Sequence, residues 1–276
     1  MGEGPMIDYS DRKEIGRSGE FVSAIGLGTW NIRNYKTALN TYSLAVEYGI
    51  DNIDTAEMYD GGRAEAFVGE LIRRVGRENL FVTTKILPSR LNSKHDVIKA
   101  AKSSLRRMGI SCADLFLIHW PNYSLPISEQ IKNFEAIYTE GLARYIGVSN
   151  FDLKELQEAI CSVKAAEIVV DQLHYSVINR IIEKELLPYC ISQDITIQAY
   201  MPLERGEIFA LPTLKEIGQK YEKTALQVSL NYLISHKRTV AIPKTENPNH
   251  LIEIAGSMGW RLSEKDLLSI KSLGDR

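Results

Sequence analysis

The sequence predicts an α/β fold of the closed-barrel class, in which parallel strands and helices alternate eight times along one chain. Three observations carry this. Eight short β-branched runs are each followed by a stretch of helical period. The strand runs are apolar almost throughout, as in parallel sheets covered by helices on the outside. The length of 276 residues matches the roughly 250 that one such barrel needs. We therefore expect a TIM (β/α)8 barrel with an N-terminal β-hairpin, as a single domain over 1–276.

The strands are expected at SAIGLGTW (23–30), DNIDTA (51–56), NLFVTTKI (79–86), DLFLIHW (114–120), ARYIGVSN (143–150), EIVVDQLHY (167–175), ITIQAY (195–200) and RTVAIPK (238–244). Helices are expected at 37–48, 64–75, 94–108, 128–139, 152–161, 181–192, 223–235 and 249–257. Before the first strand, KEIGRSGEFVSAIG reads as a small hairpin turning at Ser18-Gly19 and capping the bottom of the barrel. After the last unit, Ser263 to Leu273 reads as a final helix with a serine cap and no capping box. Gly26 and Gly28 in GLGTW fit a tight strand-to-loop path. That segment is not a GxGxxG fingerprint, so a Rossmann cofactor site is not expected.

Composition narrows the function. With 44% hydrophobic and 25% charged residues and a net charge of -2, the chain reads as an ordinary globular protein. No basic stripe would neutralise a phosphate backbone, which argues against nucleic-acid binding. The head, Met1 to Glu20, is polar, and no long apolar run occurs, so neither a secretion signal nor a membrane span is expected. Cys112, Cys161 and Cys190 form no CxxC pair and fit a reducing, cytoplasmic setting as small buried side chains. No metal site is expected.

Side chains alternate faces along a strand. On that rule Thr83 and Lys85 share a face, as do Leu117 and His119, Val148 and Asn150, Val170 and Gln172, Gln198 and Tyr200, and Ile242 and Lys244. The inward register is apolar or small below and polar at one rim, where Asp54 also ends its strand. Barrel enzymes carry their sites at that rim. Tyr59, five residues beyond Asp54, can fold back over it. An acid, an amine, a phenol and an imidazole would then meet. Carbonyl reduction needs a proton donor as hydride arrives. A phenol with an ordinary pKa near 10 donates more readily beside an ammonium, which an aspartate would keep charged. Tyr59 is thus expected as general acid, Lys85 and Asp54 as its support, and His119 as the group orienting the carbonyl oxygen. Trp30 and Trp120 would line an apolar substrate mouth with Tyr59 and His119.

A phosphate site is expected where Lys244 and Thr245 leave the eighth strand for a helix starting near Pro248–Asn249. Positive charge, a hydroxyl and free helical N–H groups converge there. Tyr200 could stack on a flat ring, and the amides of Asn150 and Gln172 could bind a carboxamide.

In order and spacing, GLGTW, DTAEMYD (54–60), FVTTKI with Lys85, LIHWP (117–121), GVSNF (147–151), DQLHY (171–175) and IPKT (242–245) resemble the aldo-keto reductase family across essentially the full length. The resemblance implies Asp54, Tyr59, Lys85 and His119 as a catalytic tetrad. It implies Ser149, Asn150 and Gln172 on a nicotinamide carboxamide, Tyr200 against its ring, and Lys244 and Thr245 towards a 2′-phosphate. It extends the cofactor contacts to Thr29, Trp30, Asp54, Met201, Leu203, His250 and Glu253. A metal-free, monomeric reductase of small-molecule aldehydes or ketones using NADP(H) is the expectation.

Two departures qualify it. His250 stands where many members carry arginine, and an imidazole would hold a 2′-phosphate less firmly, extending cofactor use towards NAD(H). The chain also stops soon after Leu273, and the segment after Trp120 is short, which suggests an open, permissive pocket for varied aldehydes. The alternative readings are a non-catalytic nucleotide-sensing regulatory subunit and another barrel enzyme such as an isomerase.

Overall fold

The computed structural model describes residues 7–273. The start of the polar head (1–6) and the last positions of the 1–276 span (274–276) lie outside the described residues. Strands β1 (Arg12–Glu14) and β2 (Phe21–Ser23) form the expected antiparallel hairpin, with Lys13 opposite Val22. Its turn is wider than Ser18-Gly19 alone. The Ile15 N–H donates to Glu20 O at 2.9 Å and the Ser18 N–H to Ile15 O at 3.1 Å. Gly16 and Gly19 are both left-handed (φ 57° and 72°), so two glycines share the reversal.

The barrel strands are β3 (Leu27–Gly28), β4 (Asn52–Asp54), β5 (Phe81–Ile86), β6 (Ala113–Ile118), β7 (Ala143–Ser149), β8 (Ile168–His174), β9 (Thr196–Tyr200) and β10 (Thr239–Ala241). They pair in chain order in one eight-stranded sheet, every neighbour parallel. The two ends of the sheet meet at a parallel bridge between Ile25 and Ala241. Gly26 N–H donates to Ala241 O at 2.8 Å and Gly28 N–H to Pro243 O at 2.9 Å across the seam. Gly26 is required by close approach, because a Cβ there would stand 2.7 Å from Asn52 O.

Helices cover the outside: α1 (Tyr35–Glu47), α2 (Arg63–Val75), α3 (Lys94–Met108), α4 (Ile127–Phe134), α5 (Ala136–Thr139), α6 (Leu153–Ser162), α7 (Leu186–Ser192), α8 (Pro212–Tyr221), α9 (Ala225–Ile234), α10 (Pro248–Ala255) and α11 (Glu264–Lys271). Their starts follow local chemistry. Ser93 caps α3, Asp152 with Glu155 boxes α6, Thr224 with Gln227 boxes α9, and Ser263 caps α11. Three expectations are corrected. The 128–139 helix is divided into α4 and α5 at Glu135. The 181–192 helix is a single turn at Ile181–Glu183 followed by α7, since Pro188 has no N–H to continue a helix from Lys184. The third is α8, which one helix per strand does not anticipate. It starts on Pro212 and buries Leu214, Ile217 and Gly218.

Two apolar layers result. Phe81, Leu115, Leu117, Val170, Val240 and Ile242 pack together inside the barrel, and Ile15 and Val22 of the hairpin join them. The hairpin thus plugs the end opposite the polar strand termini. The larger layer lies between sheet and helices, around Ile53, Val82, Phe116, Ile146 and Ile197. With the bottom closed by apolar packing, polar side chains gather at the other end.

Candidate active site

The strand termini deliver Asp54, Lys85, His119, Ser149, Gln172 and Tyr200 to one rim. Lys85, on β5, is fully buried, and its Nζ donates to Asp54 Oδ2 at 2.7 Å, Thr55 O at 2.9 Å and Tyr59 OH at 3.1 Å. Tyr59 reaches this ammonium because its loop reverses sharply. Asp60, Gly61 and Gly62 all take positive φ, which the glycine pair permits. The ring packs edge-on against Trp30 (5.1 Å between centroids) and against His119 (5.6 Å). His119 in turn lies against Trp120 at 4.7 Å. The four expected catalytic groups and both tryptophans are therefore in one cluster.

Electrostatics assign the protons. Burial pulls the Lys85 ammonium down, but Asp54 and then Tyr59 reverse this and leave its pKa raised, so it is charged. Burial pushes the Tyr59 phenol up, and Lys85 acts against that shift. The sequence expectation of a simply acidified phenol is thus incomplete: burial keeps the proton on Tyr59, while Lys85 opposes that shift and would stabilise a phenolate. His119 is lowered to about 3, by burial first and by Lys85 second. It is a neutral imidazole near pH 7, and its Nδ1 is buried without a partner.

The amide side of the rim is interlinked. Gln172 Nε2 donates to Asp54 Oδ1 at 2.7 Å and to Gln198 Oε1 at 3.0 Å. Asn150 Nδ2 donates to His119 O at 3.0 Å and Ser149 Oγ at 3.1 Å, while Tyr200 OH donates to Asn150 Oδ1 at 2.7 Å. Asn150 is left-handed (φ 60°), a conformation asparagine tolerates. Buried Thr29 adds a hydroxyl without a partner, and Gln198 an unpaired Nε2. Met201 (φ 50°) and Leu203 follow Tyr200, half-buried.

Between β10 and α10, Lys244 is half-buried, Thr245 buried and His250 exposed, with Glu253 further along α10. Thr245 Oγ1 accepts from Asn247 N–H at 3.1 Å. Lys244 is not a free cation: its Nζ donates to Glu246 Oε1.

Sequence reasoning missed a second group beside Tyr200. The His174 ring lies parallel to it, with centroids 5.5 Å apart and planes at 14°. His174 Nε2 bonds Glu204 Oε1 at 2.7 Å, and Ser176 Oγ donates to the same oxygen at 2.5 Å. His174 lies two residues beyond Gln172 on the same face, which was a usable signal; Glu204 sits in an irregular loop with none. Among the described residues no cluster of three or more His, Cys, Asp or Glu could hold a metal ion, and no helix is long and apolar enough to cross a membrane.

Known proteins resemble this chain over most of its length. The methylglyoxal reductase YeaE of Escherichia coli K12 is 33% identical over 266 residues, covering 93% of each chain. A thermostable aldo-keto reductase solved with the inhibitor epalrestat superposes with a TM-score of 0.88 at 36% identity, over 95% of this chain and 99% of that one. An aldo/keto reductase from Klebsiella pneumoniae, solved with NADP and acetate, gives a TM-score of 0.88 at 29% identity over 95% of both chains. The sequence model of the Aldo/keto reductase family matches residues 24–275. With the barrel and rim described above, the chain belongs to the aldo/keto reductase family.

Proposed function

We propose that the chain reduces small aldehydes and ketones to alcohols, α-oxoaldehydes foremost, with Tyr59 as the proton donor. It is an NAD(P)H-dependent oxidoreductase of its family acting on small carbonyl compounds. The observation that carries the proton assignment is the buried Lys85 ammonium bonded at once to Asp54 and Tyr59. Tyr59 gives its proton to the carbonyl oxygen, and the phenolate left behind is held by Lys85. Asp54 keeps that lysine charged and aimed. His119, neutral, donates a ring N–H to the carbonyl oxygen and orients it. A nicotinamide cofactor bound at this rim would supply the hydride.

The residues present fit that cofactor. The unpaired hydroxyl of Thr29 and the unpaired amide of Gln198 are buried polar atoms suited to a polar ligand. Ser149, Asn150 and Gln172 would hold the carboxamide, Tyr200 the ring, and Asp54, Trp30, Met201 and Leu203 the adjoining atoms. Lys244, Thr245, His250 and Glu253 would receive the adenosine end. Trp30, exposed over 50% of its surface, and Trp120 form an aromatic lip beside Tyr59 that suits small, partly apolar carbonyls. The name of the E. coli relative supports α-oxoaldehydes among them. All four reacting groups come from one chain, so we read the monomer as the active unit and 1–276 as one domain.

The test follows NADPH and NADH consumption with methylglyoxal, glyoxal and small aromatic aldehydes, for wild type and Tyr59→Phe. Substrate-dependent oxidation that disappears in the variant is expected. Equal turnover by the variant would defeat the proton assignment, and cofactor binding without turnover of any carbonyl would favour a nucleotide-sensing role.

A further inference from the structure

The segment that leaves β10 for α10, residues 244–253, carries one lysine, Lys244, and two glutamates, Glu246 and Glu253. One ammonium thus stands against two carboxylates where a dianionic 2′-phosphate would lie. Glu246 is fixed from several sides. Its Oε1 accepts the Arg33 N–H at 3.0 Å, its Oε2 accepts the Asn34 N–H at 2.7 Å, and its backbone carbonyl accepts Thr41 Oγ1 at 2.8 Å. Lys244 Nζ donates to the same carboxylate. The side chains of Lys244 and Glu246 are 29% and 17% exposed, so the pair is partly withdrawn from water and weakly screened.

We propose that Glu246 is a cofactor-discriminating residue: by holding the Lys244 ammonium and adding its own negative charge, it lowers affinity for a 2′-phosphate and admits a free 2′-hydroxyl. This rests on the proposed cofactor site and deepens it. Burial raises the Glu246 carboxyl, but Lys244 and the two backbone N–H groups hold it below the ordinary carboxylate value, so the charge is present at neutral pH. The cation that would otherwise favour phosphate is therefore already neutralised. Arg33 and Asn34 contribute only backbone groups to this contact, so the carboxylate also ties the loop after β3 to the loop after β10. Glu246→Gln removes the charge and keeps one of the two acceptor oxygens, with its N–H₂ group facing the other backbone N–H. The two roles therefore separate by cofactor: a loosened loop shifts both alike, and a lost charge shifts chiefly NADPH.

The experiment measures dissociation constants of NADPH and NADH, by quenching of protein fluorescence, for wild type and Glu246→Gln. One charge pair at a partly exposed site is worth about tenfold in affinity. Glu246→Gln should tighten NADPH about tenfold while NADH moves less than about threefold. Equal shifts for both cofactors would reduce Glu246 to a loop strut and overturn the proposal, as would no shift in either. Lys244→Met provides a second readout: it should weaken NADPH several-fold more in the Glu246→Gln background than in wild type. Equal losses in both backgrounds would likewise overturn the proposal. Binding of neither cofactor to wild type would instead bring down the cofactor reading on which it rests.

Discussion

Replacing Asp54 with asparagine should cost more stability than any change of its size on the surface, and the loss should depend on pH in a distinctive direction. The side chains of Lys85 and Asp54 are 0% and 4% exposed and 2.7 Å apart. Asparagine can keep the bond from Gln172 through its own oxygen, but it turns an N–H₂ group towards the Lys85 ammonium. Breaking a buried pair in this way costs about 3–5 kcal/mol. In wild type the Lys85 pKa is raised above its ordinary value of 10.5, so its contribution is complete below that value and is lost as pH climbs through the folded one. In Asp54→Asn burial acts without the carboxylate, and the folded pKa should fall below the unfolded one. The penalty is then present at neutral pH and relieved as pH rises, by up to about 1.4 kcal/mol per unit. Urea unfolding at about pH 7 and about pH 9.5 distinguishes the two, because wild type should stay level while the variant recovers. A variant within about 1 kcal/mol of wild type at neutral pH, or one without recovery, would refute the reasoning.

The remaining predictions concern neighbouring parts of the barrel. His119, lowered to about 3, should leave kcat/KM without an inflection near 6.5, and a clear one there that vanishes in His119→Gln would contradict its neutral assignment. Because its folded pKa is depressed, His119 also contributes stability above its unfolded value, lost as pH falls. His119→Gln should therefore unfold with a shallower acid slope between about pH 6.5 and pH 4. Gly147→Ala places a Cβ 2.6 Å from Val170 O and 2.8 Å from Leu117 Cδ2. It should destabilise by about 1–3 kcal/mol, and an unchanged Tm would show that the β7–β8 contact yields easily. His174→Ala removes the ring lying parallel to Tyr200 and should weaken nicotinamide binding more than it alters kcat; a pure kcat loss would contradict that reading.

Strand ends made much of the site legible. Asp54, Lys85 and His119 could be placed because a parallel strand alternates its faces and the apolar face ends in a polar residue. Tyr59 followed from its distance to Asp54, although its return depends on left-handed Asp60, Gly61 and Gly62. Contacts between distant segments were not legible. Gln172 reaches Asp54 across 118 residues, and the Arg33 amide meets Glu246 across 213. No periodicity encodes such meetings; barrel closure creates them. Glu204 lies in a loop where neither strand nor helix period applies, and its value to His174 appears only in three dimensions. Helix α8 escaped for a related reason, since the repeated unit leaves no place for a second helix after β9. The balance of burial against Lys85 at Tyr59 likewise needs the packed rim, because sequence supplies the neighbour but not the degree of desolvation.

The central claim is that Tyr59, held by Lys85 and Asp54, delivers the proton in carbonyl reduction. Its most direct test is single-turnover oxidation of enzyme-bound NADPH by methylglyoxal, in wild type and Tyr59→Phe, with the NADPH dissociation constant measured for both. The account predicts a rate loss of about 10²–10⁴ with cofactor affinity nearly unchanged. Equal single-turnover rates would show that the proton comes from elsewhere on the rim.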